Sequence, residues 1–253
     1  MSIYVLIKRI KKILISTLVI ATIVGGFSTY ANNKEVNTYN EEEIIIGLDA
    51  GHNLNENTYK KDYNGVGEVE YNYEIVQRIK ENIEKVRPDI KIYLTNPDKM
   101  NQGRSSRAEE CKNNNVDFLI SIHQDALGHE VQETTNGTHV IVDQDSIDNV
   151  TTYLANKVIQ DYSTYTGIPL RNNGVDNTRN DIGLLDKATE LGIPGMLIEC
   201  GFYDNPEYNN LINTEEGLKL VSDSISDGIL RHIITYLDKV HQNKPNAQNG
   251  FKK

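Results

Sequence analysis

Ile44-Ile45-Ile46-Gly47-Leu48-Asp49-Ala50-Gly51-His52 is an apolar run that ends in a glycine and a histidine. Two later stretches repeat the design: Phe118-Leu-Ile-Ser-Ile-His123 and Pro194-Gly-Met-Leu-Ile-Glu199. A short, nearly continuous apolar run marks a strand buried on both faces, as in a parallel sheet covered by helices. Each run delivers one polar, chemically capable side chain at its carboxyl end, the edge of an open α/β sheet where ligands bind.

The stretches between these runs alternate in period. Strands are expected at 44–49, 90–95, 116–122, 137–143 and 194–199, with helices at 68–86, 104–114, 147–166, 206–212 and 214–238. An Asn-rich loop is expected at 172–180 and a short extended piece at 182–185. This alternation predicts an α/β fold: a single three-layer domain with a mostly parallel, mixed, twisted sheet and helices on both faces. The short step from Ile122 to Gly137 predicts one antiparallel neighbour. No repeat at a period of 20 to 50 residues is visible, which argues against a solenoid or an array of binding modules.

At the start, Lys8, Arg9, Lys11 and Lys12 precede the apolar stretch Ile13 to Phe27 and the small residues up to Ala31. A basic region, an apolar core and small residues describe a secretory signal peptide cut after Ala31; an uncleaved membrane anchor, with a tether at 8–27, is the alternative. Both place the remainder outside the cytoplasm. Residues 32–43 read as a linker, 44–238 as the catalytic domain and 239–253 as a flexible tail.

The 253 residues carry a net charge of -10, and the basic start holds no acid, so the rest is more acidic still. Nucleic acid and anionic lipid would be repelled by such a surface. Two cysteines, Cys111 and Cys200, cannot make a disulfide framework and read as packed thiols.

Two histidines and two glutamates are what a hydrolytic metal site requires. Catalytic zinc takes three protein ligands and keeps one open position, where it acidifies water. His52 and His123 are candidate ligands by their placement, and Glu199 suits proton transfer because it leaves an apolar strand with no neighbouring cation. The third ligand is a carboxylate of the helix opening at Glu68. Spacing alone leaves Glu68, Glu70 and Glu74 unranked.

These motifs resemble the zinc-dependent N-acetylmuramoyl-L-alanine amidases of the family 3 type over roughly residues 44–234. Asp49-Ala-Gly-His52 is similar to the family's first ligand segment. Glu68, with Asn72 one helical turn later, matches the second, and Ser121-Ile-His123 the third. Glu199-Cys-Gly-Phe-Tyr-Asp-Asn205 matches the segment of the catalytic glutamate, and Arg107 falls where the family has an arginine.

The resemblance implies zinc on His52, Glu68 and His123, with Glu199 as the catalytic residue. It also implies hydrolysis of the peptidoglycan amide between N-acetylmuramic acid and L-alanine. Amidases of sporulation or germination, localised by a membrane tether or a lipoprotein partner, are similar in lacking wall-binding repeats. The alternatives are a catalytically degenerate peptidoglycan-binding scaffold and another zinc peptidase acting on the stem peptide. Two departures stand beside the motifs: Asn53-Leu-Asn55-Glu56 after the first His, and Gln124-Asp125 where the family has Ala-Asn. Both are expected to reshape the substrate groove. The segment between His123 and Thr138 is too short for the inserted helix that blocks the site in some relatives. His129, His139, His232 and His241 match no ligand position and read as packing or surface residues.

Overall fold

A computed structural model describes residues 43–54, 66–99, 103–128, 131–146 and 149–243. The signal or anchor segment, nearly all of the linker, Asn55, Glu56, His129 and the last ten residues lie outside the described residues. Six strands form one sheet: β1 (Ile45–Ala50), β2 (Lys91–Leu94), β3 (Phe118–Asp125), β4 (Thr138–Asp143), β5 (Leu170–Arg179) and β6 (Gly195–Phe202). Their order is β2-β1-β3-β6-β4-β5.

The pairs β2–β1, β1–β3, β3–β6 and β4–β5 are parallel, and β4–β6 is antiparallel. The expected antiparallel neighbour therefore exists, but not beside β3, because β6 is inserted between β3 and β4. Strands β1 and β4 are buried along their whole length, as their apolar runs require.

One face of the sheet packs on α1 (Glu68–Val86), α3 (Asn149–Thr166) and α6 (Glu215–Gly228), through Ile46, Leu48, Ile120, Ile122, Met196 and Ile198. Val69, Asn72, Ile75, Val76, Ile79 and Ile83 give α1 its inward stripe at helical spacing. The other face carries α2 (Arg104–Asn113) and α4 (Gly183–Glu190), over Ile45, Leu119, Leu197 and Ile141. The short helix α5 (Pro206–Ile212) follows β6, its N-terminus capped by the Asn205 side chain, which accepts from the Glu207 N–H at 3.0 Å.

Three expectations fail. The Asn-rich segment 172–180 is mostly strand β5, an edge strand with much of its length exposed. Polar composition and the positive φ of Asn172 and Asn173 hide it; pairing with β4, through two register irregularities, creates it. The extended piece expected at 182–185 is the start of α4, whose eight residues are too few to show a period and which forms by burying Leu184, Leu185 and Ala188.

The last helical run also passes 238. It continues through a π-helical turn, Ile229–Ile234, and α7 (Thr235–Gln242). Leu237 is buried there, and the His241 ring nitrogen Nε2 lies 3.1 Å from Asp117 Oδ1 at the base of β3. Among the described residues no helix is long and apolar enough to cross a membrane.

Candidate active site

β1 ends at Ala50, and the chain turns at once: the Gly51 N–H donates to the Ile122 carbonyl at 3.0 Å, and His52 sits in the left-handed region at φ 64°. Histidine is among the few non-glycine residues enriched there. Gly51 has a steric duty. A Cβ on it would stand 2.3 Å from the His123 ring, so the two imidazoles can approach only across a glycine. Their ring centroids are 4.9 Å apart at 73°.

Below this turn lies a buried polar knot. Asp49 Oδ1 accepts from Thr95 Oγ1 and from Arg107 Nη1, the latter at 2.8 Å, and Asp49 Oδ2 accepts from Ser121 Oγ. Arg107 Nη1 also reaches the Ala50 carbonyl at 3.3 Å. The knot ties α2 and β3 to the end of β1 and so fixes where His52 emerges.

Glu68 enters from the first turn of α1. Its Oε2 is 3.3 Å from His52 Nε2 and its Oε1 is 3.1 Å from His123 Nδ1. Burial raises the Glu68 carboxyl, but the His123 hydrogen bond, the two imidazoles and the Gln124 N–H together outweigh it, and the net shift is downward. One ligand atom from each of His52, Glu68 and His123 falls within 4.8 Å of the others, the only such group of metal-competent side chains among the described residues. Two imidazoles and a carboxylate are the donor set of a catalytic zinc site, so the residues fit that ion.

Glu199 stands beside them on β6, in register with His123 on one side and with His139 on the other. Directly opposed residues on neighbouring strands share a face. Glu199 Oε2 is shielded from solvent and has no hydrogen-bond partner. Burial, then Glu68 and Asp125, push its carboxyl well above the usual range, against the opposing pull of Arg179 and Arg171.

The structure thus brings all four expected residues together at the carboxyl edge of the sheet. It selects Glu68 on geometry, where spacing could not. Both cysteines are buried and free, with thiols pushed up, Cys111 to about 12, mainly by burial. His232 and His241 pair with Asp161 and Asp117. His139 is buried.

Of the departures, Asn53 is buried and Leu54 is exposed. Asp125 accepts from Arg171 Nη1 at 2.7 Å, and the guanidinium lies 5.1 Å over the Phe202 ring. Gln124 does not line the groove as expected. Strand alternation turns it to the opposite side from His123, into the core. Thr95, Arg171 and Tyr208 were invisible as site residues in sequence, since nothing local marks which of many polar residues a distant strand will meet.

A family model described as N-acetylmuramoyl-L-alanine amidase matches residues 46–231. Among solved structures, an N-acetylmuramoyl-L-alanine amidase from Clostridium difficile 630 superposes with a TM-score of 0.65 at 24% identity, covering 77% of this chain and 97% of that one. The catalytic domain of CwlV, an amidase from Bacillus (Paenibacillus) polymyxa var. colistinus, gives 0.64 at 22%, covering 77% and 98%. The CwlD amidase from Clostridioides difficile, solved in complex with the GerS lipoprotein, gives 0.63 at 22%, covering 76% and 99%. No curated protein sequence matches the chain significantly. At these identities the structural likeness is one of fold, while the family model spans the sheet, its helices and all four candidate residues: the chain belongs to the N-acetylmuramoyl-L-alanine amidase family.

Proposed function

We propose that His52, Glu68 and His123 hold a zinc ion, and that Glu199 carries the proton with which this amidase hydrolyses the bond between N-acetylmuramic acid and L-alanine in peptidoglycan. The observation that carries the reading is the convergence of the three donors within 4.8 Å, with Glu199 in register beside His123. Zinc bound there would polarise the scissile carbonyl and acidify water.

The chain's own residues do the rest. Hydrolysis adds the water oxygen to the lactyl carbonyl carbon and breaks the bond to the alanine nitrogen. The proton lost by water must reach that nitrogen. Glu199 Oε2, with no competing partner, takes it and returns it to the leaving amine. Its upward shift in the metal-free protein suits a group that must hold a proton, and a divalent cation nearby acts in the opposite sense, favouring the charged form. Asp49 and Arg107 keep the His52 turn in place.

The remaining elements of the proposal concern location. The segment up to Ala31 exports the enzyme, cut or retained as a tether, and residues 44–242 act on the wall outside the cytoplasm. The complex of CwlD with a lipoprotein is the precedent for a lipoprotein partner here.

Incubating the purified chain with wall fragments and weighing the products tests the activity. Stem peptides with a free L-alanine amine should appear with zinc and cease with a chelator. Cleavage elsewhere in the peptide, or intact fragments when the ion is demonstrably bound and a lipoprotein partner is supplied, would sink the reading.

A further inference from the structure

Gln124 lies in the core behind the metal-competent cluster and is 3% exposed. Its amide bridges two other buried groups. The Tyr208 hydroxyl donates to Gln124 Oε1 at 2.6 Å, and Gln124 Nε2 donates to Asn72 Oδ1 at 3.2 Å. Asn72 Nδ2 in turn donates to Glu68 Oε1 at 3.2 Å and to the Gly51 carbonyl at 3.2 Å. The Gln124 backbone N–H donates to the same Glu68 oxygen at 3.1 Å.

Behind Tyr208 is the fully buried Tyr162, whose hydroxyl donates to the Cys200 carbonyl at 2.8 Å. The ring of Tyr208 passes so close to β6 that a Cβ on Gly201 would stand 2.6 Å from it.

The direction of this relay is set at Asn72. An ionised carboxylate and a backbone carbonyl both only accept, so Asn72 must turn its NH2 to Glu68 and Gly51. Its carbonyl then faces Gln124, which must show its own NH2, and the Gln124 carbonyl is left for the Tyr208 hydroxyl. Reversing either amide would oppose two donors or two acceptors. The sense of every bond out to Tyr208 is therefore set by the two acceptors, Glu68 and the Gly51 carbonyl, and conversely the relay holds an NH2 donor against Glu68 and favours that rotamer. Burying an Asn, a Gln and a Tyr side by side is costly unless all are satisfied, and an apolar cluster of like volume would fill the space without that demand.

We propose that Gln124 and Tyr208 are positioning residues that lock Glu68 for metal binding. With Oε1 occupied by Asn72, by the Gln124 N–H and by the His123 contact, Oε2 is the oxygen left facing His52. The inference rests on the reading of His52, Glu68 and His123 as a zinc site. It adds buried partners from β3 and α5 that hold Glu68 from behind, through a residue at which the chain departs from the family pattern.

The test is zinc affinity by competition with a chromophoric chelator, the absorption bands of the cobalt(II) form, and thermal unfolding of the metal-free protein. Wild type, Gln124→Leu, Tyr208→Phe and the double variant are compared. Gln124→Leu should weaken zinc binding by about 10- to 100-fold, the usual effect of losing an outer-shell partner, and shift the cobalt bands. Tyr208→Phe should act in the same direction by a smaller factor and add nothing to Gln124→Leu, because both act through one relay.

Wild type that binds no zinc refutes the metal-site reading itself. Wild type that binds zinc, with both variants binding equally well and giving the same cobalt spectrum, overturns this inference alone. Should Gln124→Leu fail to fold, Tyr208→Phe decides, since it deletes one oxygen and keeps the ring: unchanged affinity and spectrum overturn the proposal.

Discussion

Two carboxylates sit on the same face of one sheet, near the ends of β1 and β6, and the fold treats them in opposite ways. Asp49 is fully buried, and both its oxygens accept hydrogen bonds, from Thr95, Arg107 and Ser121. Glu199 is surrounded by Glu68 and Asp125, and its Oε2 has no partner at all. Desolvating a carboxylate is unfavourable in both places. At Asp49 the protein supplies a cation and two hydroxyls and obtains a rigid turn; at Glu199 it leaves the cost standing. A buried acid that is satisfied holds structure together, whereas one left unsatisfied beside a cluster of metal-competent groups is available for chemistry.

The sharpest way to break this contrast is Glu199→Gln. Activity on wall fragments should fall about 10²- to 10⁴-fold, the range for losing a general acid–base, while zinc affinity is kept. Stability at neutral pH should hold or rise, because a neutral isostere relieves the crowding with Glu68 and Asp125. Retained activity would place the proton carrier elsewhere.

Arg107→Met should do the reverse, acting first on the fold. Leaving Asp49 charged and unpaired in the core costs about 3–5 kcal/mol, to be read from urea unfolding of the metal-free protein. A loss below about 1 kcal/mol would mean that Thr95 and Ser121 suffice and the ion pair is incidental.

The smallest effect concerns His139, across from Glu199. Burial, then Arg171 and Arg179, lower its pKa to about 4, so the folded state keeps it neutral. An unfolded chain protonates it near 6.5. Above that value its contribution is full; as pH falls from about 6.5 towards 4 the unfolded state gains a proton the folded state refuses, and stability is lost. His139→Gln should remove up to about 3 kcal/mol of this acid sensitivity, at about 1.4 kcal/mol per pH unit. Identical acid unfolding curves for variant and wild type would show that His139 is already protonated in the fold.

Legibility in the sequence followed burial. β1, β3 and β6 are buried apolar runs and were found with their polar ends. α1 shows both a helical stripe and an acidic first turn, and its bounds of 68–86 are those expected. β5 and α4 are hidden because an exposed edge strand and an eight-residue helix take their conformation from a neighbour. Gln124 is visible as a departure from the family pattern, while the face it occupies depends on the register of β3.

The sequence by itself determined the alternation of strands and helices, the candidates His52, His123 and Glu199, and the order of motifs that marks the family; Glu68 stood level with Glu70 and Glu74 until the family pattern and the geometry singled it out. These are local properties: a hydrophobic period, a turn residue, a run of a few side chains. Tertiary structure decided that β6 enters between β3 and β4, that Arg107 meets Asp49, that Glu199 Oε2 stays without a hydrogen-bond partner, and that Tyr208 reaches Glu68 through Gln124 and Asn72. Each of these joins residues distant in the chain, and such contacts follow from which strand lies beside which, a choice made by the packing of the whole sheet and written in no single segment.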